Sequence, residues 1–214
     1  MTELSPDLDE ARRQLTDAAL AHVPFEGWGD AALQMAAKDL GVDPGEARLL
    51  FPRAAADMID WHLAEGDRAT AAVLGDRDLS DLKVRDRIAL AVRLRIEVDL
   101  DAPEVMRRTA AWLTMPQNAA LGLRAGLRTV DTMWAGVGDR SSDFNYYTKR
   151  ALLLGVHSAT VLYALGDQSD DYVDTWDFLD RRIADVLKIG KARGPMDILR
   201  DKRRPREDPV TYSS

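Results

Sequence analysis

Residues 27–52, GWGDAALQMAAKDLGVDPGEARLLFP, encode two helices and the turn between them. Asp30 caps or opens a helix over 31–40, and Gly41 stops it, since a glycine just past the last helical residue accepts the left-handed backbone that ends a helix. Two residues later Asp43 stands as an N-cap in front of Pro44, a residue suited to the first helical position. This second helix carries Leu49, Leu50 and Phe51 and is broken by Pro52. A further helix over 8–22, ending ahead of Pro24, precedes the pair. Three short helices with a glycine-containing turn before the third have the layout of a helix-turn-helix.

Beyond Pro52 the apolar residues keep recurring at spacings of three and four. Period-two β-branched runs are missing, as is any repeat of solenoid length. A long helix passes through Met58, Ile59, Trp61, His62 and Leu63 toward Leu74. Residues 84–98 align Ile88, Val92, Arg95 and Ile96 on one face. Pro103 opens a helix through Met106, Ala110 and Leu113, and Pro116 restarts the chain into 119–134. Helices over 146–165 and 172–191 follow, the last stopped by Gly194 and Pro195. The fold class is therefore all-α. It comprises a helix-turn-helix-like unit over 8–52, a larger helical domain over 53–193, and a basic, largely disordered tail over 194–214. This arrangement is similar to that of the tetracycline-repressor type of regulators, in which a two-fold homodimer is expected by analogy.

The charge pattern argues against the use those regulators make of the layout. Residues 1–62 hold five bases and twelve acids, a balance of −7. The candidate recognition helix offers Arg48 against Glu46, with Asp43 before it, whereas phosphate contacts by Lys and Arg supply most of the affinity for a duplex. No nucleic-acid partner is expected. Residues 181–206 hold ten bases and three acids, +7, and include Ile198 and Leu199 beside Arg203 and Arg204. That segment either contacts an anionic membrane, where each base adds about 1 kcal/mol, or stays a solvated tail. No run of apolar residues reaches membrane-spanning length, and the acidic N-terminus has no apolar signal region. With no cysteine, disulfides, thiolate zinc sites and cysteine nucleophiles are excluded. A cytoplasmic protein is expected, lying at most peripherally on the inner face of the cytoplasmic membrane.

Recognisable catalytic apparatus is lacking. His22, His62 and His157 fall in no Glu-x-x-His or His-x-x-x-His pair. The aspartates between 167 and 180 lack the glycine and glutamate of a calcium loop and suit a helix start instead. There is no phosphate loop and no nucleophile elbow. The expectation is a protein that is not an enzyme and takes no metal or cofactor. Two stretches point to binding. Helix 151–166, ALLLGVHSATVLYALG, sets Gly155, Ser158 and Ala159 among large apolar residues, which either packs helices tightly or leaves room for an apolar ligand. Its inferred inner face, with the preceding helix, yields Leu127, Leu153, His157 and Val161 as lipid-binding candidates. Residues 139–150, DRSSDFNYYTKR, put two tyrosines beside a polar turn, either as inward-packing helix-start residues or as a contact face.

Residues 130–183 resemble the Coq-nine family of ubiquinone biosynthesis accessory proteins. The resemblance rests on Met133–Trp134, on Gly138, Asp139, Ser141, Asp143, Phe144, Asn145, Tyr146, Tyr147, Thr148, Lys149 and Arg150, and on Asp167, Ser169, Asp171, Asp174, Thr175 and Trp176. More weakly it spans 15–190, with Gly27–Trp28 and the Leu50–Phe51–Pro52 turn. It implies a repressor-like helical fold without DNA binding, an isoprenoid quinone lipid as ligand, and delivery of a demethoxyquinone to the di-iron demethoxyubiquinone hydroxylase. It also implies a partner-binding surface of Asp131, Trp134, Asn145, Tyr146, Tyr147 and Arg150. The first aromatic of that motif is commonly Trp in the family, and here it is Tyr146. The alternative is a ligand-responsive transcription regulator of the tetracycline-repressor type.

Overall fold

The computed structural model describes residues 6–138 and 145–191, with side chains over 7–138 and 147–186. Among them the elements are α1 (Pro6–Leu20), α2 (Val23–Glu26), α3 (Asp30–Leu40), α4 (Pro44–Leu50), α5 (Ala55–Gly75), α6 (Val84–Leu100), α7 (Pro103–Leu113), α8 (Ala119–Gly136), α9 (Asn145–Ala164) and α10 (Val173–Lys191). Single 3-10 turns at Pro116–Asn118 and Asp170–Tyr172 lead into α8 and α10. The described residues contain no strand. Gly194, Pro195 and the four residues Ile198, Leu199, Arg203 and Arg204 lie outside the described residues, as do Ser141 and Ser142.

The turn that decides the N-terminal unit is built locally. Gly41 has φ 67°, and its N–H bonds back to Ala37 and Lys38 carbonyls, closing α3 in the left-handed manner a side chain would strain. The Asp43 carboxylate then accepts from the Gly45 and Glu46 N–H groups at 2.8 and 3.2 Å, with Pro44 in the first turn. Two details differ from expectation. Pro24 does not end helical structure but sits in the first turn of the short α2, where its missing N–H costs nothing. The final helix begins at Val173, because Asp171 and Tyr172 take positive φ of 52° and 56°.

Two hydrophobic cores result. Leu15 and Ala19 of α1, Leu33 and Ala36 of α3, Ala47 of α4 and Phe51 meet Met58 and Ile59 of α5 and Val105 of α7. The first core therefore draws on helices on both sides of residue 52. Trp28 ties it further, donating from Nε1 to Thr109 Oγ1 at 2.9 Å in the interior. The second core joins Leu74, Ile88, Val92, Ile96, Met106, Val130, Met133, Leu153, Val156, Leu179 and Ile183. Each such side chain removed from water contributes about 1.5–3 kcal/mol. The helices α5 and α8 lie along one another, and α9 is held between α8 and α10. The site forms between these two cores.

Candidate functional site

A cavity of about 250 Å³ opens between α7, α8 and α9, with α5 and α6 behind it. Met106 and Leu113 of α7, Ala125 and Gly126 of α8, and Leu154 and Val161 of α9 line its walls. One end is deep: Arg95, Thr109, Thr129 and His157 line it and are all buried. The other reaches the surface at Thr114, Ser158 and Leu162, which are exposed.

Behind the deep end is a network of buried charge. Arg95, with 1% of its surface exposed, donates from Nε to Asp67 Oδ1 at 3.1 Å and pairs through Nη1 with Asp99 at 2.7 Å. Arg128 bridges Asp67 at 3.0 Å and Asp60 at 2.7 Å, and Arg124 reaches Asp60 at 2.6 Å. Thr129 Oγ1 donates to Asp67 Oδ1 at 2.8 Å. Burial works against the Arg95 charge, but Asp99 and Asp67 outweigh it and hold its pKa above the usual value. Gly66 makes room for this guanidinium: a Cβ there would lie 2.8 Å from Arg95 Cζ.

The two histidines on the cavity wall stay neutral near pH 7. Burial, and secondarily the Arg95 charge, push His157 down to about 4. His62, its ring centroid 5.6 Å from that of Trp28, is pushed down chiefly by burial. No hydrogen-bond partner reaches His157 Nδ1 among the described residues. A wider cleft between α1, α5 and α8 is lined by Arg12, Arg53, Arg68 and Arg128, each paired with a carboxylate: Asp9, Asp57, Glu65 and Asp60 respectively. Among the described residues, no three His, Asp or Glu side chains converge as metal ligands.

Of the four lipid-binding candidates, His157 and Val161 line the cavity. Leu153 and Leu127 do not, and their assignment is corrected. Leu153 is turned into the second core beside Met133 and Val130, while Leu127 lies on the outer face of α8 with 37% of its surface exposed. Leu154, one position on, takes the wall that Leu153 was expected to form. Leu162 and Ser158 were also missed, although they repeat at helical spacing with Leu154 and Val161.

The partner-binding candidates separate in the same way. Tyr147 is 76% exposed on the first turn of α9. Arg150 is buried and ion-pairs through Nε with Asp131, joining α9 to α8. Trp134 is corrected: it is 9% exposed, packs in the second core, and has Lys149 Nζ 5.4 Å from its ring centroid. It supports the face rather than forming it. Asn145 and Tyr146 open α9, and their side chains lie outside the described residues.

Two of the helices that line the cavity, α8 and α9, the latter holding Tyr147, fall within a family match. Residues 119–190, α8 through α10, match the COQ9 family model. The match extends to whole-chain relatives. "Ubiquinone biosynthesis protein COQ9, mitochondrial" of Rattus norvegicus is 32% identical over 192 residues, covering 85% of this chain and 60% of the relative. The protein of that name in Homo sapiens is 29% identical, with coverages of 85% and 59%. "Probable ubiquinone biosynthesis protein coq9, mitochondrial" of Dictyostelium discoideum is 28% identical, with coverages of 88% and 63%. Over residues 119–190 the chain is similar to the COQ9 family.

The chain spans about 60% of the length of the curated relatives it matches. Its fold is also that of a TetR transcriptional regulator from Nitrosomonas europaea. The two share a TM-score of 0.67 and 17% sequence identity, over 84% of this chain and 99% of that one. At that identity the likeness concerns fold alone. The expected cytoplasmic placement is corrected: the curated relatives are mitochondrial by name. Composition misled here because an acidic, cysteine-free chain suits any reducing compartment, so the reading had no means of choosing among them. No helix of the described residues is long and apolar enough to cross a membrane.

Proposed function

We propose that this chain is a non-catalytic accessory protein of ubiquinone biosynthesis that encloses an isoprenoid quinone intermediate and delivers it to the pathway's di-iron demethoxyubiquinone hydroxylase. Relatives named for ubiquinone biosynthesis support the pathway. The observation that carries the ligand is the hydrocarbon-walled cavity lined in part by α8 and α9, within the family segment. An isoprenoid chain is insoluble, so withdrawing it from a bilayer requires an apolar enclosure. Burial of its surface supplies the drive, at roughly 25 cal/mol per Å². Neutral imidazoles and guanidiniums matched by carboxylates leave no net charge to repel such a ligand. The partner supplies the oxidation chemistry, and this chain supplies enclosure and docking through the α9 start around Tyr147.

The regulator alternative gains nothing from the shared fold. Arg48, the base on α4, is ion-paired with Asp30 of α3, and the N-terminal segment as a whole is acidic. Phosphate contacts are the main source of duplex affinity, and the base that α4 offers for them is already paired.

The direct test is native mass spectrometry of the purified chain with extraction and identification of bound lipid. Isoprenoid quinones or their precursors are expected. A chain that is lipid-free and also ignores added quinone sinks the reading.

A further inference from the structure

The closed end of the cavity is lined by the buried polar side chains Arg95, Thr109, Thr129 and His157, while its open end combines Thr114 and Ser158 with Leu162, so it is an unmet hydrogen bond at the closed end that bears on which way round a lipid sits. At the deep end most polar groups are already engaged. Thr109 Oγ1 accepts from Trp28 Nε1 and donates to the Val105 carbonyl, and Thr129 Oγ1 donates to Asp67. Arg95, Arg124 and Arg128 are set against Asp60, Asp67 and Asp99, three charges of each sign. Two atoms there make no hydrogen bond among the described residues: Arg95 Nη1, which is ion-paired with Asp99 at 2.7 Å, and Nδ1 of His157, which is 9% exposed, lines the cavity and has no charge partner to compensate. A buried polar atom left unmatched is costly, and a ligand that supplies its hydrogen bond removes that cost.

We propose that the lipid enters head first, its uncharged, hydrogen-bonding ring seated at His157 and its isoprenoid tail leaving past Leu162. The proposal rests on the reading that the cavity takes isoprenoid quinone lipid, and deepens it to orientation and head-group class. The balanced charges offer an anionic head no unpaired cation, so the site selects a neutral ring over a carboxylate or phosphate. The volume agrees. At about 250 Å³ the cavity is below the roughly 300–1,000 Å³ of sites that enclose whole drug-sized ligands. It holds the ring and the first tail carbons, and the rest of a long chain must lie outside. Leu162 of α9 is exposed at the mouth and gives that tail an apolar exit. It follows that the ring is shielded from solvent and oxidants while the lipid is held, and reaches the partner only as it leaves.

The test is titration of the full chain with three probes: a ubiquinone bearing a two-unit tail, the isoprenoid hydrocarbon of the same tail, and a fatty acid of similar length. His157→Leu is expected to weaken the quinone about tenfold, the loss of one hydrogen bond, while the hydrocarbon changes less than twofold. His157→Gln, which keeps a donor and an acceptor, is expected to restore most of the quinone affinity. Wild-type chain is expected to prefer the quinone to the fatty acid. Folding of each variant is verified by its thermal midpoint, and if the leucine variant fails to fold, the glutamine variant and the fatty-acid comparison decide. Quinone affinity indifferent to His157→Leu, or a fatty acid bound as well as the quinone, overturns head-first seating and leaves quinone binding intact. A wild-type chain that binds none of the three overturns the underlying reading as well.

Discussion

Arg95 shows how one residue can be half legible. Its place on the inward stripe of α6, with Ile88, Val92 and Ile96, follows from spacing alone, and the structure buries it there. Nothing local names its partners, Asp67 on α5 and Asp99 one turn on. Replacing Arg95 with Met keeps the hydrocarbon length but leaves the partly buried Asp99 without its cation and the buried Asp67 with Arg128 alone. Breaking a buried pair from one side costs about 3–5 kcal/mol. Urea unfolding of Arg95→Met is expected to show a loss of that size, and a loss below about 1 kcal/mol would mean that water or Arg128 takes over the pairing. Leu153 and Leu154 are the opposite case. Both are leucines on one apolar run, and only the packed helix decides which faces the cavity.

At the scale of the element, the start of α10 explains a motif that the sequence displays without explaining. The Asp167 carboxylate accepts from the N–H and hydroxyl of both Ser169 and Thr175, and Ser169 Oγ accepts from Asp174 N–H. Partial burial raises its pKa, but the bonds from Ser169 and Thr175 outweigh this and hold it at about 2, below the ordinary 3.8. A depressed carboxylate pKa gives stability that is complete above the unfolded value and lost as pH falls toward the folded one. This cap should therefore weaken between about pH 4 and pH 2. Asp167→Ala is expected to cost about 1–2 kcal/mol at neutral pH, as lost N-caps do, and to flatten the acid limb of the stability curve. Unfolding midpoints of wild type and variant across that range check both. The aspartate run was rightly read as helix-start chemistry, but the particular cap spans eight residues and a kink with positive φ, beyond what helical spacing reveals.

For the whole molecule, the proposed docking face belongs to α9 as held by α8. Arg150 and Asp131 join the two helices, buried Trp134 lies beneath Lys149, and Tyr147 stands outward. Tyr147→Asp is expected to leave the unfolding free energy within about 0.5 kcal/mol of wild type, as surface changes do, and to leave quinone binding unchanged. Its binding to the hydroxylase is expected to fall at least tenfold by surface-immobilised titration. Unchanged hydroxylase affinity would remove Tyr147 from the interface. What the sequence by itself determined was local or additive: helix ends set by Gly41, Asp43 and Pro44, the all-α class, and the acidic balance of the N-terminal unit. These depend on contacts within a few residues or on a sum of charges. The tertiary structure alone decided which face of α9 looks into the cavity, because that helix is apolar on several sides and no single stripe marks its inner face. It alone joined Asp60, Asp67, Arg95 and Arg128 across separations of up to 68 residues, since charges so far apart in the chain meet only when packed helices bring them together.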